Sequence, residues 1–432
     1  MTQTQTKCRV LEAILRANHG RKPKLLRLKL RRMLADPFTF FRGTNHLFVA
    51  DWPELQPPEV GPDILICGDL HLENFGAYRT ADGDFRYDIN DFDEAMIASS
   101  SLDLVRCTAS IFLAAEQWKL LPTHATSMAL AYLEHYRKAI LAATRAGAVG
   151  EVAPHSGHGA IWELLGSTAS GIQEALLEKN TKRRSSAPPK IRRTDSHIAI
   201  SPKRFELIRG AVEAHGQKLG MADQFRVHDV TGRIAGVGSL GVRRYLALLE
   251  GEGPPDGHRL LDIKQVEPSA LTGCTTAAQP DYGGNEAKRV VQAQIMLQGH
   301  PSAGLDALDI GPHAYRIREM IPEENRSSLD RLRRQPAKLR QAVETAGLLT
   351  AWSHLRGGRL TLGPTPDQKQ DHWPELADWS GSAAIDAVLA AAARYAERTN
   401  QYYAEFRQSV RDGGGVGECL QSTREFEKVL SV

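Results

Sequence analysis

The spacing of hydrophobic residues changes several times along the chain, which predicts a mixture of helices and strands. Apolar residues recur at helical intervals over 102–119, 123–145 and 161–178, and again near 204–219, 285–297, 327–355 and 383–410. The first of these segments is apolar enough to form a buried helix. We find no internal repeat. The pattern therefore predicts an α+β fold.

Shorter alternating patterns predict the strands. The runs 63–69 and 85–91 flank a turn-rich loop and predict a hairpin. A block at 225–251, followed by 259–266, alternates apolar and polar residues between glycines and predicts a small antiparallel sheet. The stretch 179–201 is rich in Pro, Ser and Arg and predicts an exposed basic loop. The basic run 21–34 predicts a solvated amphipathic helix with Leu25, Leu28 and Met33 on one face.

Length and composition favour a two-lobed globular protein. A chain of 432 residues can build two cores, and its 42% hydrophobic and 24% charged content is near the average for globular domains. We place a helical extension at 1–60 and a helical lobe with the catalytic residues at 61–221. A β-rich nucleotide-binding lobe follows at 222–325, and helices that complete the helical lobe occupy 326–432.

Charge and cysteine usage exclude several classes of protein. A formal charge of +3 is too small for a general nucleic-acid-binding field. The five cysteines are scattered without C-x-x-C spacing, which favours reduced thiols over a disulfide or zinc framework. No stretch approaches the roughly 18 apolar residues of a membrane span. We expect a cytoplasmic protein with no nucleic-acid or membrane partner, and the sequence does not specify its oligomeric state.

An acidic segment carries the first candidate site residues. Asp69 and Asn74 are five positions apart, the spacing of the kinase catalytic-loop pattern D-L-x-x-x-N. Phosphoryl transfer needs oxygen ligands for magnesium and a carboxylate near the attacking group. We predict Asp69 as the catalytic base, and Asn74, Asp91 and Asp93 as Mg²⁺ ligands with Asp91 the main one. The alternative is that these are turn residues bonded to their own backbone, but so many neighbouring carboxylates would repel each other without a cation.

Two further residues of this segment have structural interpretations. His71 is expected to form a hydrogen bond within its loop, since magnesium prefers oxygen ligands. Asp103 opens a predicted helix and is expected to anchor structure rather than to catalyse.

A glycine run forms the second candidate cluster. Residues 236–241 read G-x-G-x-x-G, and a strand pattern follows them where a dinucleotide fold would have a helix. This context favours a kinase-type glycine loop over a dinucleotide site. We predict that Gly236, Gly238, Ser239 and Gly241 approach the phosphates of ATP through their backbone amides. A simple tight turn is the alternative.

A lysine downstream completes the predicted nucleotide site. Lys264 stands on the apolar strand L-D-I-K, as the phosphate-binding lysine of V-A-I-K does. The helix that follows contains Glu286, which we predict as the acidic partner that orients Lys264. The alternative for Glu286 is a surface residue in the first turn of its helix.

Several motifs are similar to those of known families. The runs F-T-F-F-R-G at 38–43, C-G-D-L-H-L-E-N-F-G at 67–76, D-I-N-D-F-D-E-A at 88–95, S-L-D-L-V-R at 101–106 and R-V-V-Q-A-Q at 289–294 resemble an uncharacterised bacterial family, domain of unknown function 2252. The resemblance covers most of the chain. The central motifs also resemble those of aminoglycoside phosphotransferases and choline kinases, whose G-D-x-H-x-x-N loop and I-D-F strand match 68–74 and 90–92.

This resemblance implies a two-lobed, protein-kinase-like fold. It implies the base at Asp69, metal ligation by Asn74 and Asp91, and a structural role for Asp103. The acidic segment precedes the glycine run, so a kinase-like fold would be circularly permuted. No A-P-E activation segment follows, which argues against a peptide substrate.

Our leading hypothesis is a Mg²⁺-dependent ATP phosphotransferase that acts on a small hydroxyl- or amine-bearing molecule. A nucleotidyl (AMP) transferase would use nearly the same groups, and a non-catalytic nucleotide-binding regulator would use the binding groups alone. A metallophosphoesterase is less favoured, because its metals need several histidines and the acidic segment offers His71. The kinase-like hypothesis requires the acidic segment and Lys264 to face each other across one cleft.

Overall fold

The computed structural model describes residues 3–153, 159, 161, 172–184, 187–251, 257–321, 329–359 and 371–411. Its helices are α1 (Gln3–Ala17), α2 (Pro23–Met33), α3 (Pro37–Arg42), α4 (Asn45–Leu55), α5 (Ser100–Gln117), α6 (Pro122–Ala146), α7 (Ile172–Asn180), α8 (Pro202–Lys218), α9 (Glu286–Leu297), α10 (Pro336–Gly357), α11 (Trp373–Trp379) and α12 (Ser382–Arg411). The predicted α+β class is confirmed. Part of the predicted helix 161–178 lies outside the described residues.

Within the described ranges, the strands form one six-stranded sheet and three two-stranded ones. They are β1 (Asp63–Ile66), β2 (Phe75–Arg79), β3 (Phe85–Ile89), β4 (Met96–Ser99), β5 (Thr181–Arg184), β6 (Ala187–Ile191), β7 (His197–Ile198), β8 (Val227–Arg233), β9 (Arg244–Leu249), β10 (Arg259–Gln265), β11 (Asp306–Ile310) and β12 (His313–Glu319). The order of the large sheet is β11-β12-β10-β9-β8-β7, and all its neighbours are antiparallel. This confirms the antiparallel sheet predicted from 225–266.

The predicted hairpin between 63–69 and 85–91 is wrong in its pairing. β1 pairs with β4, and β3 pairs with β2, a strand that the sequence pattern did not separate from the loop. Because β1 is almost fully buried between α5 and α10, it needs an apolar partner, and the β4 sequence M-I-A-S supplies one. The pairing of β1 with β4 and of β2 with β3 brings residues 67–74 close to residues 90–94.

The helices of the N- and C-terminal parts pack together. α5 is buried along nearly its whole length and contacts α6 and α12, while α10 packs along α6. α2 buries Leu26, Leu30 and Met33 in a cluster that includes Phe406 of α12. The predicted solvated helix is therefore wrong for this segment, and the buried face differs from the predicted one. The i, i+4, i+7 spacing of these residues places them on a single stripe.

The exposed loop predicted at 179–201 contains structure. β5 and β6 form a small hairpin, whose connecting residues 185–186 lie outside the described part. Ile191 is buried, and its backbone N–H donates to Asp229 of β8 at 2.9 Å, while Arg193 forms an ion pair with the same carboxylate at 3.0 Å. This anchor explains why a polar segment without an apolar period is nevertheless ordered.

The two faces of the large sheet have different chemistry. One face carries Leu261 and Ile263 of β10 and packs on α8. On the opposite face, Asp262 lies between three guanidinium groups, with closest contacts of 2.8 Å to Arg233, 2.7 Å to Arg244 and 3.1 Å to Arg316. Although burial by itself raises the pKa of Asp262, these cations hold it well below its ordinary value. The charged face lies at the edge of the site described below.

No helix among the described residues has both the length and the apolar character needed to cross a bilayer.

Asp262 and its three arginines should contribute strongly to the stability of the folded protein. Asp262→Asn keeps the size of the side chain but removes the buried negative charge that three guanidinium groups share, so the free energy of unfolding should fall by about 3–5 kcal/mol. The measurement is urea denaturation followed by circular dichroism. Asp223→Asn is the matched control, because that side chain is 93% exposed in its own ion pair with Arg226; its effect should be about 1 kcal/mol or less. If both substitutions lowered the free energy of unfolding equally, Asp262 would not have the stabilising role stated here.

Candidate active site

A cavity of about 360 Å³ lies between the acidic loop, which we define as residues 67–74 with 90–94, and the charged face of the large sheet. Most of the site residues predicted from the sequence line it: Asp69, Asn74, Asp91, Asp93, Gly236, Gly238, Ser239 and Lys264. The acidic loop and the strand lysine, far apart in sequence, therefore face each other across one cleft.

Lys264 makes the closest contacts across this cleft. Its side chain is 4% exposed, and its Nζ lies 3.6 Å from Asp91 Oδ1 and contacts Asp93 Oδ2 directly. The charged end of a lysine is rarely buried without counter-charges. The two carboxylates therefore hold the lysine inside the cavity.

The backbone of residues 90–95 is held by arginines from two other elements. Arg289 of α9 donates to the carbonyl oxygens of Asp93 at 2.9 Å and Ala95 at 2.7 Å. Arg318 of β12 donates to the carbonyl oxygen of Asn90 at 2.9 Å. The two arginines therefore hold the backbone of residues 90–95 through its carbonyl oxygens. The side chains of Asp91 and Asp93 line the cavity.

Asp103 anchors the start of the acidic loop from the first turn of α5. Its carboxylate accepts the backbone N–H groups of Cys67 and Gly68, each at 2.8 Å. Gly68 has φ +84°, and a Cβ there would lie 2.4 Å from the carbonyl oxygen of Glu94. A glycine is thus required where the two halves of the acidic loop touch. The expected anchoring role of Asp103 agrees with these contacts.

Asp69 forms a short ion pair with a buried arginine. Arg106 of α5 lies over the ring of Phe41, and its Nε is 2.5 Å from Asp69 Oδ1. Burial raises the pKa of Asp69 to about 7, against the opposing effect of the Arg106 guanidinium. A carboxylate that titrates near neutral pH is well suited to general-base chemistry.

The remaining oxygen donors suit a hard cation. Asn74 lines the cavity, and its amide donates through Nδ2 to the carbonyl of Asp69 at 2.6 Å, so Oδ1 is its atom suited to bind a cation. Oδ1 of Asp93 is buried and accepts no hydrogen bond from the part of the chain that the structure describes. Because carboxylate and amide oxygens are the ligands that Mg²⁺ prefers, Asn74, Asp91 and Asp93 fit a magnesium ion. His71 instead accepts the N–H of Glu73 through Nδ1 at 3.2 Å, as expected for a loop hydrogen bond.

The predicted partnership of Glu286 with Lys264 does not match the structure. The Glu286 carboxylate pairs with Arg289 at 2.6 Å, one turn along α9, and Glu286 is not among the residues that line the cavity. Asp91 and Asp93 supply the counter-charge for Lys264 instead. The i, i+3 spacing on α9 favours the local pair over a contact with the strand.

The glycine run connects β8 to β9 as a hairpin, and cations of the N-terminal part hold it. The carbonyl oxygen of Gly238 accepts from Arg21 at 2.7 Å and from Lys29 at 2.9 Å, and that of Gly236 accepts from Arg32 at 3.0 Å. Burial, and then Arg21, lowers the pKa of Lys29 well below its ordinary value. Gly241 has φ +99° and packs against Arg21 instead of lining the cavity.

Sequence reasoning missed the cations that surround this cavity. They are Arg21, Lys29, Arg42, Arg244, Arg316 and Arg318, with Arg106 behind Asp69. Arg106 could have been found, because it lies one helical turn after Asp103 and shares its face. The others come from separate helices and strands, and their convergence depends on tertiary packing.

The fold and the site define a mixed α+β protein with a cleft in which carboxylates face a buried lysine and several arginines. Residues 21–409 match the sequence profile of a protein family, domain of unknown function 2252. This family is described as uncharacterized proteins conserved in bacteria. The chain belongs to this family. No curated protein and no solved structure matches it.

The raised pKa of Asp69 should appear in the pH dependence of folding. Between the ordinary value of 3.8 and about 7, the folded protein retains a proton that the unfolded chain has released. Stability from this group is therefore lost as the pH rises through that window. Asp69→Asn removes the titration, so its free energy of unfolding relative to wild type should increase by about 1–3 kcal/mol from roughly pH 4.5 to pH 8.

Urea denaturation of both proteins at several pH values measures this difference. Asp386→Asn, at an exposed position of α12, is the control and should give a difference that does not vary with pH. A pH-independent difference for Asp69→Asn would show that Asp69 does not titrate in this range.

Proposed function

We propose that this protein is a Mg²⁺-dependent ATP phosphotransferase that acts on a small hydroxyl- or amine-bearing molecule. The observation that carries the proposal is the contact of buried Lys264 with Asp91 and Asp93 across the cleft. In kinases, a lysine that faces metal-binding carboxylates and a glycine-rich hairpin together bind a nucleoside triphosphate and its metal. The same kinds of group line this cavity.

Each group has a role that follows from its position. Lys264, with Arg244 and Arg316 beside it, provides positive charge for phosphate oxygens. Asn74, Asp91 and Asp93 would hold magnesium, which when bound neutralises charge on the transferring phosphate.

Asp69 accepts the proton of the attacking group. As the acceptor oxygen or nitrogen bonds to the γ-phosphorus, the bond from phosphorus to the bridging oxygen breaks and ADP leaves with that electron pair. Arg106 keeps the Asp69 carboxylate oriented and offsets part of the cost of burying its charge. Because the pKa of Asp69 is about 7, the base is substantially ionised at neutral pH.

A permuted kinase-like fold is part of the same proposal. The antiparallel sheet that bears the glycine hairpin and Lys264 would be the nucleotide lobe, followed by α9. The acidic loop and α5 would be the catalytic lobe, although they come first in the chain. The two groups of motifs would therefore be exchanged relative to kinases, while the order within each group is kept.

Nucleotidyl (AMP) transfer is the second candidate, since the same oxygen ligands and cations would serve it. Mass spectrometry of the acceptor after incubation with ATP and Mg²⁺ separates the two reactions, because phosphotransfer adds one phosphate and nucleotidyl transfer adds one nucleotide. A non-catalytic regulator would bind ATP and add neither.

Magnesium-dependent ATP binding should require the acidic loop. Wild-type protein should gain thermal stability with ATP and Mg²⁺ together, by about 2.7 kcal/mol when the ligand is at 100 times its Kd. Asp91→Ala should weaken this binding at least about tenfold, or about 1.4 kcal/mol, because a metal ligand is lost. Lys264→Met should weaken it similarly through the loss of a phosphate contact. Differential scanning fluorimetry across an ATP titration measures all three proteins.

The matched controls are Asp386→Ala and Lys288→Met, which make the same changes at exposed helix positions. Both should bind ATP as the wild type does. Wild-type protein that is not stabilised by ATP with Mg²⁺, or an Asp91→Ala variant stabilised as strongly as wild type, would overturn the proposal.

A further inference from the structure

A second group of metal-ligating side chains lies at the other end of the large sheet, away from the cavity. His228 of β8, Glu250 after β9 and His258 before β10 place one ligand atom each within 4.8 Å of the others. In β8 and β10 the residues that border the cavity, near the glycine run and Lys264, are at the opposite strand ends. The group therefore does not belong to the site described above.

The backbone directs these three side chains toward one point. The β8–β9 register shifts between Val227 and Asp229, so His228 is the extra residue of a β-bulge. Bulges re-aim a side chain relative to the regular alternation of a strand. Here the bulge turns His228 toward Glu250, which is the first residue after β9.

A close backbone approach holds the other two ligands opposite each other. Gly251 has φ +71°, and a Cβ there would lie 1.4 Å from the carbonyl oxygen of Gly257. Only a glycine permits this contact, which fixes the residues on either side of it. As a result Glu250 and His258 are adjacent in space, and the rings of His228 and His258 are 5.1 Å apart.

The contact between His228 and Glu250 also has the wrong geometry for a hydrogen bond. Nε2 of His228 is 2.7 Å from Glu250 Oε2, yet this buried nitrogen forms no hydrogen bond with any residue that the structure describes. Arg226, the other cation near this carboxylate, is 4.0 Å away and 60% exposed. The two atoms, Nε2 and Oε2, therefore already lie close enough for a single ion placed beside them to bind both.

We propose that His228, Glu250 and His258 bind a divalent transition-metal ion of the Zn²⁺ class. Two imidazoles and one carboxylate, with a fourth position for water, are a recurrent ligand set for zinc. Opening the His228–Glu250 contact to about 3.4 Å would place both atoms about 2.1 Å from a tetrahedral ion. The ion links the ends of β8, β9 and β10, so it stabilises the sheet that carries Lys264. This inference does not depend on the proposed phosphotransferase activity.

Zinc uptake by the full-length protein tests the proposal. The protein is treated with EDTA, dialysed, and titrated calorimetrically with Zn²⁺ in excess Mg²⁺, which occupies sites built of oxygen ligands alone. Wild-type protein should bind one Zn²⁺ that His258→Ala does not bind or binds more than about 100-fold more weakly, since losing a ligand costs more than losing an outer-shell partner. Co²⁺ in place of Zn²⁺ should give the visible absorption of a four- or five-coordinate site in wild type and not in His258→Ala.

His300→Ala is the matched control, because His300 also lies 2.7 Å from a glutamate, Glu151, and this pair is not part of the three-residue group. It should bind Zn²⁺ as wild type does. Glu250→Gln retains the size of the side chain and gives the same comparison if His258→Ala fails to fold. Equal Zn²⁺ binding by wild type and by the folded variant, or no binding by wild type, would overturn the assignment.

Discussion

The placement of one buried cation, Lys264, fixes the geometry of the site. Its ammonium group is nearly inaccessible to water and is held by carboxylates from a different part of the chain. Such a group is costly to bury unless counter-charges lie within a few ångströms. The sheet and the acidic loop must therefore meet in a defined register. The arginines of α9 and β12, which bind the loop carbonyls, and Asp103, which binds its first amides, all serve to keep that register.

Sequence alone predicted which residues come together around the cavity better than it predicted their partners. Asp69, Asn74, Asp91 and Lys264 stand in short motifs whose spacing carries chemical meaning, and all four line one cavity. The partner of Lys264 could not be predicted in this way. Glu286 was predicted as that partner, but Asp91 and Asp93 contact Lys264 instead, and this choice depends on tertiary packing. Arg244 and Arg316 were missed because an arginine in a strand pattern usually lies on a solvated face.

For the fold, too, the sequence predicted local elements better than the long-range contacts between them. Long apolar periods located α5, α6, α8 and α12 within a few residues. Strand pairing was wrong for β1, because pairing depends on which apolar edge lies nearby in space and not on neighbouring sequence. The polar stretch with β5 and β6 was predicted as loop, since its order depends on the distant Asp229. Local propensity identifies elements, and buried long-range contacts select their partners.

The Asp262 cluster has a consequence for handling the protein. Three guanidinium groups share one carboxylate, so the cluster by itself has a surplus of positive charge. Arg244 and Arg316 present part of that surplus to the cleft. Simple oxyanions such as sulfate and inorganic phosphate carry the charge and acceptor atoms that guanidinium groups bind. Buffers and precipitants rich in these anions would therefore compete for the cleft, and chloride-based solutions leave it accessible to weaker ligands.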